Sequence, residues 1–146
     1  MRRLVWWLGC AVALALASGC GSTTTATTTS LAPTKAQYIE RADAICSAHE
    51  QEVRKAIVES YKSPASSAQA AIHKEYAASQ RADAQLGSIP MPAGSTQVLL
   101  EWLHWRKLAT ADSATAAKLS AATTATTEAN RLARAYGLKV CGHSGV

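Results

Sequence analysis

Between Thr34 and Lys62, the residues Ile39, Ala42, Cys46, His49, Val53, Ala56 and Ser60 recur at alternating steps of three and four, while Glu40, Arg41, Asp43, Glu50, Gln51 and Arg54 fall largely on other faces. That period predicts a half-buried helix over about 34–62. Thr34 followed by Gln37 is a capping-box signature at its start, and Glu50 precedes Arg54 by four residues in the favourable orientation. Ser63-Pro64 predicts a stop and restart. A second helix over about 65–86 places Ala65, Ala68, Ile72, Tyr76, Ser79, Ala82 and Leu86 on its inner side. Gly87 is expected to cap it, ahead of a loop stiffened by Pro90 and Pro92.

From Ser95 to Tyr136 there is neither Gly nor Pro, so local rules alone permit one helix. The apolar register divides it. Leu99, Trp102, Trp105, Ala109, Ala116 and Leu119 make one stripe, and Ala121, Ala125, Ala129, Leu132 and Tyr136 make another about 200° around the axis. Two helices, about 95–117 and 120–137, satisfy both stripes, with Asp112, Ser113 and Ser120 as available N-caps. Gly137 is expected to end the last one. The fold class is therefore all-α, an up-down bundle of three to four helices.

The run from Leu4 to Ala17 has no charged residue and follows Arg2-Arg3. It falls short of the roughly 20 residues that span a bilayer, and it reads as a cleaved export signal. Leu16-Ala17-Ser18-Gly19-Cys20 closes the signal with the small residues that bacterial lipoprotein processing requires. Residues 1–19 are expected to be removed, leaving Cys20 as the carrier of a diacylglycerol and its palmitate-type chains. Residues 20–33, rich in Thr and Ser, read as a tether. As a coil it spans roughly 20 Å, and fully extended about 45–50 Å. Residues 34–142 form the helical domain and 143–146 a flexible tail.

Cys10 leaves with the signal and Cys20 is committed to lipid, so Cys46 and Cys141 remain. In an exported protein a disulfide is the simplest reading, with two free thiols or half a metal site as rivals. A bridge across that separation stabilises by roughly 4 to 5 kcal/mol in the chain-entropy model. It also bears on residues 95–136. An unbroken helix there rises roughly 60 Å and carries Cys141 away from Cys46, whereas a break near residues 112–122 returns the last helix toward it.

Loss of Arg2 and Arg3 takes the formal charge from +5 to about +3, with Lys and Arg interleaved among Asp and Glu. No basic stripe for nucleic acid results. Glu101-x-x-His104 places a carboxylate and an imidazole one helical turn apart, and with His49 it offers an alternative reading as a metal-binding bundle. A di-metal site requires a second such pair, which the chain lacks, so the plainer reading is an exposed polar face. Val98 to Trp105 carries apolar residues around most of the helix. Leu99, Trp102 and Trp105 are then either the bulk of an alanine-rich core or a surface for an envelope protein or apolar ligand. With no G-x-S-x-G elbow, no glycine loop for phosphate and no Cys-His pair with a free thiol, the expectation is a non-enzyme without cofactor.

Tyr38-Ile39-Glu40-Arg41-Ala42-Asp43-Ala44-Ile45-Cys46 and the closing Tyr136-Gly137-Leu138-Lys139-Val140-Cys141-Gly142 together resemble a group of small secreted or lipid-anchored actinobacterial proteins. These share an ADAIC block near the start of the mature domain and a YGxxxCG block at its end. The resemblance implies a helical extracytoplasmic domain with those two cysteines bonded, and carries no activity with it. The expected address is the outer face of the cytoplasmic membrane, held by lipid on Cys20, in a binding or envelope-structural role.

Overall fold

Reciprocal hydrogen bonds fix the first helix where the capping box predicts: Thr34 Oγ1 accepts from the Gln37 backbone at 3.2 Å, and the Thr34 N–H donates to Gln37 Oε1 at 2.9 Å. The computed structural model describes residues 32–62, 67–115 and 118–143. Export signal, Cys20, most of the tether, Ser63-Pro64, Ala65 and Ala116 lie outside the described residues, as do positions 144–146. The described helices are α1 (Lys35–Tyr61), α2 (Ser67–Ser88), α3 (Thr96–Ser113) and α4 (Leu119–Tyr136). Each packs against its neighbour in the chain, α1 on α2, α2 on α3 and α3 on α4. Residues 31–146 cluster as a unit by themselves.

The all-α bundle is thus the observed fold, and the stretch from Ser95 to Tyr136 is two helices. The break falls at residues 114–118, where the Thr115 N–H donates to Asp112 O and the Lys118 N–H to Thr115 O. None of the three expected N-caps is used. Lys118 occupies that position without a side-chain bond. Leu119, expected on the α3 stripe, instead opens α4 and is exposed. The inner stripe of α4 runs through Ala122 and not Ala121, then Ala125, Ala129, Leu132, Ala133 and Tyr136.

Two glycines behave differently from one another. Gly137 ends α4 as expected, at φ 104°, in a Schellman motif: the Leu138 N–H donates to Ala133 O and the Gly137 N–H to Arg134 O. Gly87 is no cap, because its φ is not positive and the helix runs on to Ser88. The positive φ near that loop belongs to Gly94, at 75°.

Element lengths open the bundle at one end. α1 rises about 40 Å, and α3 and α4 about 27 Å each. Tyr38 near the start of α1 stacks edge-on against Tyr136 at the end of α4, with ring centroids 6.0 Å apart. Both helices are therefore level there, and the last turns of α1 extend past the beginning of α4. Likewise Arg106 and Thr110 meet Asp83 near the end of α3, so the first turns of α2 run beyond it. α1 and α2 continue as a two-helix arm, held by the Glu59–Lys74 ion pair at 2.9 Å. Ile72, expected to be internal, is exposed because the helix that covers its side of α2 stops at Ser113.

Candidate functional site

The segments Tyr38–Cys46 and Tyr136–Gly142 meet in space. Cys46 on α1 is bonded to Cys141 across 95 residues, with Cα atoms 5.3 Å apart and both side chains buried. Asp43, one turn earlier, faces the same segment. Its Oδ2 accepts from the Lys139 N–H at 2.9 Å, and its Oδ1 from the Val140 and Cys141 N–H groups at 2.9 and 3.1 Å. One carboxylate thereby satisfies three successive amides that no helix serves, with charge-assisted bonds. Arg134 donates to Gly142 O at 2.6 Å, and a Cβ at Gly142 would stand 2.6 Å from Arg134 Cγ and 3.1 Å from Leu138 O. His143, expected in the flexible tail, is tied down: its N–H donates to Val140 O and its Nδ1 lies 2.7 Å from Lys139 O.

Beside this clasp the core is large and apolar. Tyr38, Leu86, Leu99, Trp102, Leu138 and Tyr136 fill it. Burial, then the neighbouring Tyr136, pushes the Tyr38 phenol up to about 12, so it stays protonated. Lys35 Nζ sits 4.5 Å above the Tyr136 ring.

Leu99 and Trp102 are 0% and 1% exposed, and Trp105 is half-buried against the same cluster. The expected partner or ligand surface of Leu99, Trp102 and Trp105 is therefore core, because the largest side chains of an alanine-rich bundle are drawn to its centre. The apolar excess on α3 is shed elsewhere, at Val98 and Leu100, which are exposed on either side of Leu99.

A second interior region was hidden in the sequence by its polar letters. His49 of α1, Ser79 and Asp83 of α2, and Arg106 and Thr110 of α3 are all buried. Arg106 Nε donates to Asp83 Oδ1 at 2.9 Å, and Thr110 Oγ1 donates to Asp83 Oδ2 at 2.7 Å. Arg106 also lies over the Trp102 ring at 5.9 Å. His49 Nε2 and Ser79 Oγ share a hydrogen bond of 3.0 Å, with the donor set by the imidazole tautomer. The His49 pKa is lowered, chiefly by burial and then by the Arg106 charge, against the opposing pull of Asp83, Glu52 and Glu50. The i, i+4 spacings Ser79/Asp83 and Arg106/Thr110 were the available signal, since each pair shares a helix face with core alanines.

This region does not assemble the metal alternative. His49 is turned to Ser79 inside the bundle, whereas Glu101 and His104 are exposed on α3, His104 edge-on to Trp105. Among the described residues, no group of three or more His, Cys, Asp or Glu side chains is placed to hold a metal ion. Ser79 and His49 have the contact of a nucleophile and base. Yet they are 2% and 5% exposed, and among the described residues His49 Nδ1 has no hydrogen-bond partner to orient it. Asp83 at the floor of the α2–α3 groove is already committed to Arg106 and Thr110. Compared with protein-family models, with curated proteins and with solved structures, the chain matches none.

Proposed function

We propose that this chain is a membrane-anchored extracytoplasmic lipoprotein whose helical domain serves as a non-catalytic binding or envelope-structural module. The observation that carries the reading is the buried Cys46–Cys141 bridge, seated on Asp43, since a bond built this deeply into a fold belongs to an oxidising compartment. The sequence Leu16-Ala17-Ser18-Gly19-Cys20 supplies the anchor, and two or three fatty chains on one cysteine hold more firmly than a single acyl chain. No described helix is long and apolar enough to cross a membrane.

Intact mass spectrometry of protein extracted from its own envelope tests both halves. Residues 1–19 absent, acyl mass on Cys20 and a two-dalton gain on reduction are the expected result. An unmodified Cys20 on a cleaved or uncleaved chain overturns the anchor, and an unchanged mass on reduction overturns the compartment.

A further inference from the structure

The two-helix arm carries a surface that the bundle does not use. Over the last turns of α1, Ile57, Val58 and Tyr61 are 42%, 47% and 86% exposed. At 100° per residue they fall in one sector with Arg54 and Lys62, on the side of α1 away from α2, with Lys55 at the edge of that sector, where it also lines the α1–α2 groove beside Glu52 and Glu59. Glu59 is excluded from this sector: it turns to α2 and pairs with Lys74, just as Glu52 pairs with Arg81. Arg54, Lys55 and Lys62 take part in none of the ion pairs among the described residues. Three apolar side chains are thus interleaved with three cations; Glu52 and Glu59 are paired across to α2, and Glu50 stands one turn before Arg54 on the same side of α1.

We infer that this face of α1 is a second membrane contact, seating Ile57, Val58 and Tyr61 in the interface of an anionic bilayer while Arg54, Lys55 and Lys62 meet lipid phosphates. Charge decides the occupant. A second copy would bring the same three cations against these, whereas an anionic headgroup layer complements them. Tyrosine, with an apolar ring and a polar tip, suits the headgroup boundary, and Lys and Arg bury their stems while keeping their charge in the polar layer.

The inference rests on the anchored reading above, which places the bilayer within reach. The stretch between Cys20 and Thr34 extends to about 45–50 Å, so it need not hold the domain upright. α1 begins at the tether and ends in the arm about 40 Å away. A domain tilted so that the last turns of α1 meet the surface brings the arm to the lipid and keeps Glu40 and Glu50, earlier on the same side of α1, back from the anionic headgroups. The anchor supplies a high effective concentration, so a weak contact suffices.

The test separates the two ideas. Residues 20–146 with Cys20→Ser have neither signal nor lipid, and the described core and disulfide all lie within them. Co-sedimentation is measured with vesicles of equal phosphatidylglycerol and phosphatidylcholine, and with phosphatidylcholine alone. The expected result is binding to the anionic vesicles only. It falls on the order of tenfold or more in Ile57→Gln/Val58→Gln/Tyr61→Gln, in Arg54→Gln/Lys55→Gln/Lys62→Gln, and at high salt. All six positions are exposed, and unchanged circular dichroism verifies the fold. Absence of binding, or equal binding by the variants, overturns the inference. Self-association without vesicles that the apolar triple abolishes assigns the face to a second copy and likewise overturns it. Lipid on Cys20 is read separately by mass on the envelope protein, so loss of the anchor reading leaves the vesicle result standing, and the reverse.

Discussion

The clasped end of the bundle and its middle are held together by different physics. At the clasp, Tyr38, Leu86, Leu99, Trp102, Leu138 and the disulfide fill the interior with large side chains. Toward the arm the interior narrows to Ala56, Ala78, Ala109, Ala122 and Ala125, and the remaining buried groups are His49, Ser79, Asp83, Arg106 and Thr110. Apolar packing is non-directional and tolerates some repacking, whereas the Asp83–Arg106–Thr110 network demands one register of α2 against α3. The contrast explains how a bundle with so little apolar volume in its middle keeps a single alignment. Stability is concentrated at the clasp and alignment in the polar middle.

Substitutions in each region sharpen that contrast. Trp102→Ala removes the largest buried side chain and is expected to lower stability by about 3–5 kcal/mol in urea unfolding. A loss below about 1 kcal/mol would mean the clasp core does not close on this ring. Arg106→Leu is expected to cost about 3–5 kcal/mol, because Asp83 is left as a buried uncompensated carboxylate. Adding Asp83→Leu should restore much of that loss, which a double-mutant cycle measures. Additive losses would show that the two residues act independently.

Cys46→Ser is expected to cost about 2–5 kcal/mol, and reductant should produce a similar fall in the parent protein. Equal melting with and without reductant would remove the clasp from the account. His49 supplies the pH dependence. Its folded pKa lies below the unfolded value, so the unfolded state binds its proton first as pH falls. Its contribution is complete above about pH 6.5 and declines as pH drops toward the folded value. His49→Gln should flatten this part of the stability curve between pH 8 and 5, and a slope unchanged from the parent would contradict a buried neutral imidazole. The smallest effect is a gain. Gly87 is helical with nothing within 4 Å of an added Cβ, so Gly87→Ala should stabilise by about 0.5–1 kcal/mol. Thermal unfolding reads it against Gly137→Ala, which should destabilise because φ is 104°.

Much of this was legible along the chain. The capping box at Thr34, the inner stripe through Ala42, Cys46, His49 and Ala56, and the phase shift between the α3 and α4 stripes are all consequences of the helical repeat. The division of residues 95–136 also followed, once a bridge between Cys46 and Cys141 limited how far the last helix could travel. What was not legible has separate causes. Arg106, Thr110 and Asp83 were not singled out, because their burial depends on partners on another helix. Leu99 and Trp102 admitted both core and surface because a stripe does not name what covers it. Gly87 was read as a cap from its letter, and its φ decided otherwise.

What the sequence by itself determined is local: where α1 begins, which faces are apolar and where Gly137 must turn. These follow from interactions between residues at most a few positions apart. Tertiary structure alone decided that Asp43 holds the amides of residues 139–141, that Arg106 finds Asp83, and that α1 and α2 outrun the helices that would cover them. Each depends on the alignment of elements distant in sequence, which a helical period cannot encode.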